Sequence, residues 1–206
     1  MKRKRTVALY GLVIGGLLAL GAQPGWACDA HEKAGAGAGV AVADAPDLTA
    51  VELPNRRLPR PGVVTGGQPS PEQLVQAAKA GVKVVVNLRG DGEPMVEETG
   101  QIAKKLGLMY VRIPLSGSQP DFGLTEQNAR KLGKLLAHAK DRPLLIHCAS
   151  GNRVGALMAL EAFYVEGKSA AEALAEGRKA GLTRLEPVVR RILERAETQR
   201  KAKSAK

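Results

Sequence analysis

Residues 144–157 read LLIHCASGNRVGAL, and the fold turns on how this stretch is read. LLIHC is a short apolar run, as a buried strand should be. A polar, glycine-containing loop follows, and from Arg153 onward the pattern is helical. A strand, a tight loop and a helix in that order belong to an α/β sheet, where ligands bind beyond the carboxyl ends of strands. Such a turn points successive backbone N–H groups inward, and the helix start adds positive potential, so an anion fits there. A thiolate is also an anion, and a neighbouring arginine favours it, which makes Cys148 a candidate nucleophile. Gly151 supplies the tight bend, with a positive φ where one is needed. Arg153 offers a planar fork that grips two oxygens at once. The plainer reading of Cys148 is a small buried hydrophobe, but a glycine and an arginine at this spacing before a helix favour a site. His147 should point to the opposite face from Cys148 by strand alternation, as a hydrogen-bonded structural residue. His138, near a helix end, reads as a surface residue.

Working outward, strands and helices alternate. VVTGG (63–67) is a short strand, and Ser70-Pro71-Glu72-Gln73 starts a helix with a capping box that Gly81 ends. VKVVVNL (82–88) is a continuous β-branched run, expected of a buried parallel strand. RGDGEP is a loop, a helix runs from about Met95 to Leu106, and LMYVRI (108–113) is a strand. The loop PLSGSQPDFG leads to Thr125 as a helix cap, and Leu132, Leu135, Leu136 and Ala139 line one side of that helix until Arg142-Pro143. After Arg153 three helices are expected: to about Glu166, over 170–179, and from Leu185 to about Gln199. This order predicts an α/β fold, a mainly parallel central sheet flanked by helices.

The ends of the chain read differently. Lys2-Arg3-Lys4-Arg5, the apolar run Val7 to Leu20 and Gly25-Trp26-Ala27 predict a secretory signal over 1–27. The export this implies is to the periplasm or envelope, with membrane contact through that segment or through a lipid on Cys28. Residues 28–59, with AGAGAGVAVADAP, read as an Ala/Gly-rich flexible linker in which His31 and Glu32 are solvated. The folded domain is expected over 60–197, with 198–206 as a basic tail. The net charge is +11; four of the 31 basic residues and none of the 20 acidic ones lie in 1–27, so the remainder carries +7. A basic surface would draw in anionic substrates or membrane lipid, but the plainer and favoured reading is a solvated helix with a frayed basic end. Aromatics at 3% are too few for base-stacking platforms, which argues against nucleic acid. No metal or cofactor is expected, and oligomeric state is not legible.

HCASGNRVGAL, followed by KSAAEALAEGRKAGL, resembles the dual-specificity-type cysteine phosphatases, and most of all their bacterial beta-lactamase hydrolase-like branch. GGQPSPEQLVQAAKAGVKVVVNLRGDGE is similar to the start of the same domain, so the resemblance covers about residues 60–180. It implies a cysteine phosphatase-like fold and hydrolysis of phosphate monoesters through a phosphocysteine on Cys148. Arg153 would bind the equatorial oxygens, and the backbone of Ala149, Ser150, Gly151 and Asn152 would cradle them. A phosphorylated small molecule, lipid or protein would be the substrate.

The chain departs from that pattern in three places. Four residues rather than the familiar five separate Cys148 from Arg153, a length that also resembles rhodanese-type sulfurtransferase loops. Val154 stands where a serine or threonine would donate to the leaving thiolate, a role open to Ser150. Asp121 is the carboxylate of the loop that should supply the general acid, placed slightly late, with Asp91 and Glu93 as fallbacks. Persulfide transfer on Cys148, or a weakly catalytic anion-binding module, therefore stand as alternatives.

Overall fold

The structure is a computed structural model that describes residues 46–205. The expected signal segment, Cys28, His31 and Glu32 lie outside the described residues. Among the described residues five strands and six α-helices succeed one another as β1 (Arg57–Arg60), β2 (Val63–Gly66), α1 (Pro71–Lys79), β3 (Val84–Asn87), α2 (Val96–Lys105), β4 (Met109–Arg112), α3 (Glu126–Leu136), β5 (Leu144–His147), α4 (Asn152–Tyr164), α5 (Ala170–Lys179) and α6 (Glu186–Ser204). The sheet order is β1-β2-β5-β3-β4. β1 is antiparallel to β2 and the other pairs are parallel. The expected mainly parallel α/β sheet is therefore what forms.

Local chemistry places the helices. The capping box at Ser70 forms as read: the Gln73 amide donates to Ser70 Oγ (3.2 Å) and the Ser70 amide to Gln73 Oε1 (2.9 Å). Thr125 caps α3 by accepting from the Asn128 amide at 3.2 Å. Strand alternation divides the core. Val84, Val86, Leu144, Ile146 and Cys148 face α3, α4, α5 and α6, whereas Val85 and Leu145 pack with Leu74, Ala77 and Ala103 of α1 and α2. α4 is buried without a break from Val154 to Phe163, as expected of a helix covered on all sides. Each fully buried Leu or Met along it is worth about 1.5–3 kcal/mol.

Three boundaries differ from the sequence reading. Packing begins before residue 60: Leu48, Val51 and Leu53 are buried against the α1–α2 face. The Ala/Gly run stops short of Asp47, whose carboxylate caps a 3-10 turn over Leu48–Ala50. β1 was not anticipated, since Arg-Leu-Pro-Arg shows no strand pattern. It is an edge strand with an irregular register, a setting where Pro59 is tolerated in a sheet. At the other end the expected tail is helical, with α6 continuing to Ser204. Glu197 pairs with Arg200 and Lys201, and the Arg200 guanidinium lies 4.3 Å from the Phe163 ring centroid.

Candidate active site

β5 sits in the middle of the sheet, so its carboxyl end is enclosed by the ends of β2 and β3. Cys148 is the next residue, 1% exposed, at the base of the loop 148–153. Gly151 takes φ 89°, the left-handed conformation expected of it, and is the N-cap of α4. That turn aims the Gly151 N–H at Cys148 Sγ, at 3.1 Å. Ser150 Oγ makes no such bond among the described residues, and Val154 is buried. The donor to sulfur that Val154 cannot supply is thus backbone. Residues 66–68 brace the outer side of the loop: the Cys148 amide donates to Gly66 O (3.4 Å) and the Gln68 amide to Ala149 O (3.3 Å). The amides of Ala149 and Ser150 meet no acceptor among the described residues.

Arg153 opens α4 and folds back over the sheet end. Its Nη1 donates to Glu93 Oε1 (2.5 Å) and to Leu115 O (2.7 Å), and its Nη2 to Glu93 Oε2 (2.9 Å). This two-pronged pairing uses one end of the guanidinium. Three of the five N–H donors are then committed. The remaining two, on Nε and Nη2, lie side by side on one edge, suited to two oxygens of an anion. Glu93 is held in turn by the Gly90 amide at 2.6 Å. The hydrogen bond from Arg153 drives the Glu93 carboxyl down to about 2. Glu93 first, and then its own burial and the neighbouring Cys148, shift Arg153, with the net pKa raised above its ordinary value. With both carboxylate oxygens taken by Arg153, Glu93 serves as the brace of the arginine rather than as a proton donor. Asp91 is bound to Arg112 Nη1 at 2.8 Å, which occupies the other fallback carboxylate. Three arginines, 89, 112 and 153, meet two carboxylates here, so one positive charge is left for an anion.

Asn152 ties the loop to the segment between α5 and α6. Its Oδ1 accepts from the Thr183 amide (2.9 Å), Thr183 Oγ1 (3.1 Å) and the Leu185 amide (3.3 Å). The Asn152 side chain is therefore structural. A cleft of about 390 Å³ opens above, lined by Ser150, Asn152, Arg153, Gly117, Phe122 and Arg184 among others. Asp121 stands beside it, next to Phe122, and both adopt left-handed backbone, with φ 46° and 60°. The Asp121 carboxylate is turned to Arg191 Nη2 at 3.0 Å. The structure thus unites Cys148, Arg153 and the loop backbone and leaves the Asp121 carboxylate at the rim. His147 lies across the sheet from Cys148, as alternation required, but its ring makes no hydrogen bond among the described residues. It is fully buried with both ring nitrogens unpartnered, and burial pushes it down to about 3. The sequence reading missed the Glu93–Arg153 pair. Its signal was the carboxylate after β3, readable only once β3 and β5 are known to be neighbours.

Comparison with known proteins bears on the family and the fold. A family model described as DSP-PTPase phosphatase fused to NAD+ kinase matches residues 46–190. The beta-lactamase hydrolase-like protein of Xylella fastidiosa (strain Temecula1) is 31% identical over 98 residues, which is 46% of this chain. The chain spans 22% of the length of that curated relative. A DUF442 protein from Shewanella putrefaciens CN-32 superposes with a TM-score of 0.55 at 19% identity, over 71% of this chain and 91% of that one. The core catalytic domain of the PP-IP phosphatase Siw14 from S. cerevisiae gives 0.54 at 19% identity, over 75% and 95%. These structural likenesses are likenesses of fold.

Proposed function

This chain belongs to the family described as DSP-PTPase phosphatase fused to NAD+ kinase, and from that premise we propose that it hydrolyses phosphate monoesters through a phosphocysteine on Cys148. The observation that carries the proposal is the pairing of a sulfur at the loop base with the open Nε/Nη2 edge of Arg153 beside it. A phosphoryl group seated there offers equatorial oxygens to that edge and to the Ala149 and Ser150 amides. The Cys148 thiolate attacks phosphorus, a P–S bond forms, and the P–O bond to the leaving group breaks. The leaving oxygen takes its proton from Asp121. Water then attacks phosphorus as the Asp121 carboxylate takes its proton, the P–S bond breaks, inorganic phosphate departs, and the thiolate returns to the Gly151 N–H. Preorganised donors of this kind are a large catalytic factor.

Asp121 reaches the leaving group by releasing Arg191. That ion pair is half exposed and worth at most about 1 kcal/mol, so it holds the carboxylate only loosely. Two consecutive non-glycine residues in left-handed backbone, Asp121 and Phe122, are the kind of strain found at functional sites. The substrate is a phosphate ester that fits the cleft over Ser150. The charged start, apolar run and small residues of 1–27 support export of the protein.

The test is phosphate release from phenyl phosphate by the full chain under reducing conditions, with Cys148→Ser as control. Turnover lost in Cys148→Ser is the expected result. No turnover between mildly acidic and neutral pH would overturn the proposal, and thiosulfate would then be assayed as a sulfur donor.

A further inference from the structure

Two cations line the cleft beside the Cys148 loop, and one of them is not accounted for by phosphate chemistry at the loop. Arg153 belongs to the loop; Arg184 comes from the segment between α5 and α6. Of the neighbouring arginines, Arg178 and Arg190 pair with Glu186 and Arg191 pairs with Asp121 until that carboxylate turns to the leaving group, and none of the three lines the cleft. Among the described residues no carboxylate lies within salt-bridge distance of Arg184. Nor is its backbone loosely placed. Asn152 Oδ1 receives the amides of Thr183 and Leu185, one on each side of Arg184, and Leu182 and Leu185 are buried. Asn152 immediately precedes Arg153. A single side chain therefore fixes the backbone carrying the second cation to the loop carrying the first.

We infer that Arg184 is a specificity-determining residue that reads a second anionic group on the substrate, a phosphate or carboxylate a few bonds away from the phosphomonoester. The inference rests on the phosphatase reading of the cleft and narrows its substrate to small esters with two anionic groups. Phe122 forms part of the same lining and covers the apolar spacer between those groups. An uncharged alcohol or aryl group would leave Arg184 facing solvent.

The test compares phenyl phosphate with 1,3-phenylene bisphosphate in the full chain, as the ratio of kcat/KM values halved for the two equivalent phosphates. The wild-type ratio should be about fivefold in favour of the bisphosphate, the scale of one favourable, partly screened ion pair. Arg184→Gln should bring it close to unity through KM, Arg184→Lys should restore most of it, and Arg184→Glu should invert it. Added salt should compress the wild-type preference. The same ratio is read without turnover from calorimetric binding of the two ligands to Cys148→Ser protein. A wild-type ratio near unity, or a preference untouched in Arg184→Gln, overturns the inference while leaving the phosphatase reading intact. An Arg184-dependent binding preference without Cys148-dependent turnover overturns the phosphatase reading while the second anion site stands.

Discussion

At the scale of single residues, the site is organised around a guanidinium held at one end and open along one edge. Glu93 is a positioning residue: it touches Arg153 rather than the phosphate. Glu93→Gln removes the charge-assisted pairing, and a hydrogen bond to a charged group is worth about 1.5–3 kcal/mol, so kcat should fall by roughly 10- to 100-fold. Inhibition by inorganic phosphate should change much less, because the open edge of Arg153 and the loop amides remain. Equal losses in kcat and phosphate affinity would show that Glu93 acts in ground-state binding instead. Asp121→Asn separates a proton donor from a surface partner of Arg191. With an alkyl phosphate, whose leaving group needs a proton, the loss should be about 100-fold; with 4-nitrophenyl phosphate it should be below about tenfold. Equal effects on both esters would remove Asp121 from the chemistry.

The elements matter because helices carry parts of the site that the sheet cannot. α4 brings Arg153 and Asn152, and its next turn packs on the α5–α6 connection without room for a side chain. A Cβ on Gly155 would overlap the Leu182 amide nitrogen and lie 2.6 Å from Gly177 O. Gly155→Ala should therefore destabilise the fold by about 3 kcal/mol, the upper range for overpacking, and lower the denaturant midpoint. It should also weaken the Asn152 bonds to Thr183 and Leu185, so activity should fall even at temperatures where the variant is folded. A midpoint within error of the wild type would show that α4 and α5 can separate freely. The elements were largely legible. The Ser70 capping box, the Gly81 stop and the β-branched run around Val84–Asn87 are local signals, and local hydrogen bonding decides them. β1 was not legible, because Arg57–Arg60 is a strand by virtue of pairing with β2 rather than by its own pattern.

For the whole molecule, pH dependence reflects charges buried at different places in the fold. Glu161 of α4 is buried beside Arg60, and burial raises its carboxyl to about 7. The folded state then holds a proton that the unfolded chain has lost, so stability falls as pH rises from about 4.5 to about 7, by about 3 kcal/mol across that interval. His147, pushed by burial to about 3 from its usual 6.5, acts in the opposite sense: its contribution is present above 6.5 and lost as pH falls through that range. Glu93, lowered to about 2, adds a loss below about pH 4.5. Between pH 4.5 and 6.5 the first two offset each other in the wild type. Glu161→Gln should uncover the His147 slope, so thermal stability should drop more steeply on acidification than in the wild type and level off above neutrality. Parallel profiles for the two proteins would show that Glu161 does not titrate in this interval. The sequence by itself determined the α/β class, the capped helices and the loop with Cys148, Gly151 and Arg153, because periodicity, turn chemistry and a contiguous motif are local properties of the chain. The family resemblance rested on those same stretches. Only the tertiary structure decided that Glu93 braces Arg153, that Gly151 rather than Ser150 donates to sulfur, that Asn152 ties the loop to Arg184, and that Asp121 rests on Arg191. Each of those contacts depends on sheet order, helix packing or the path of one backbone turn, which bring together residues that nothing in the linear order connects.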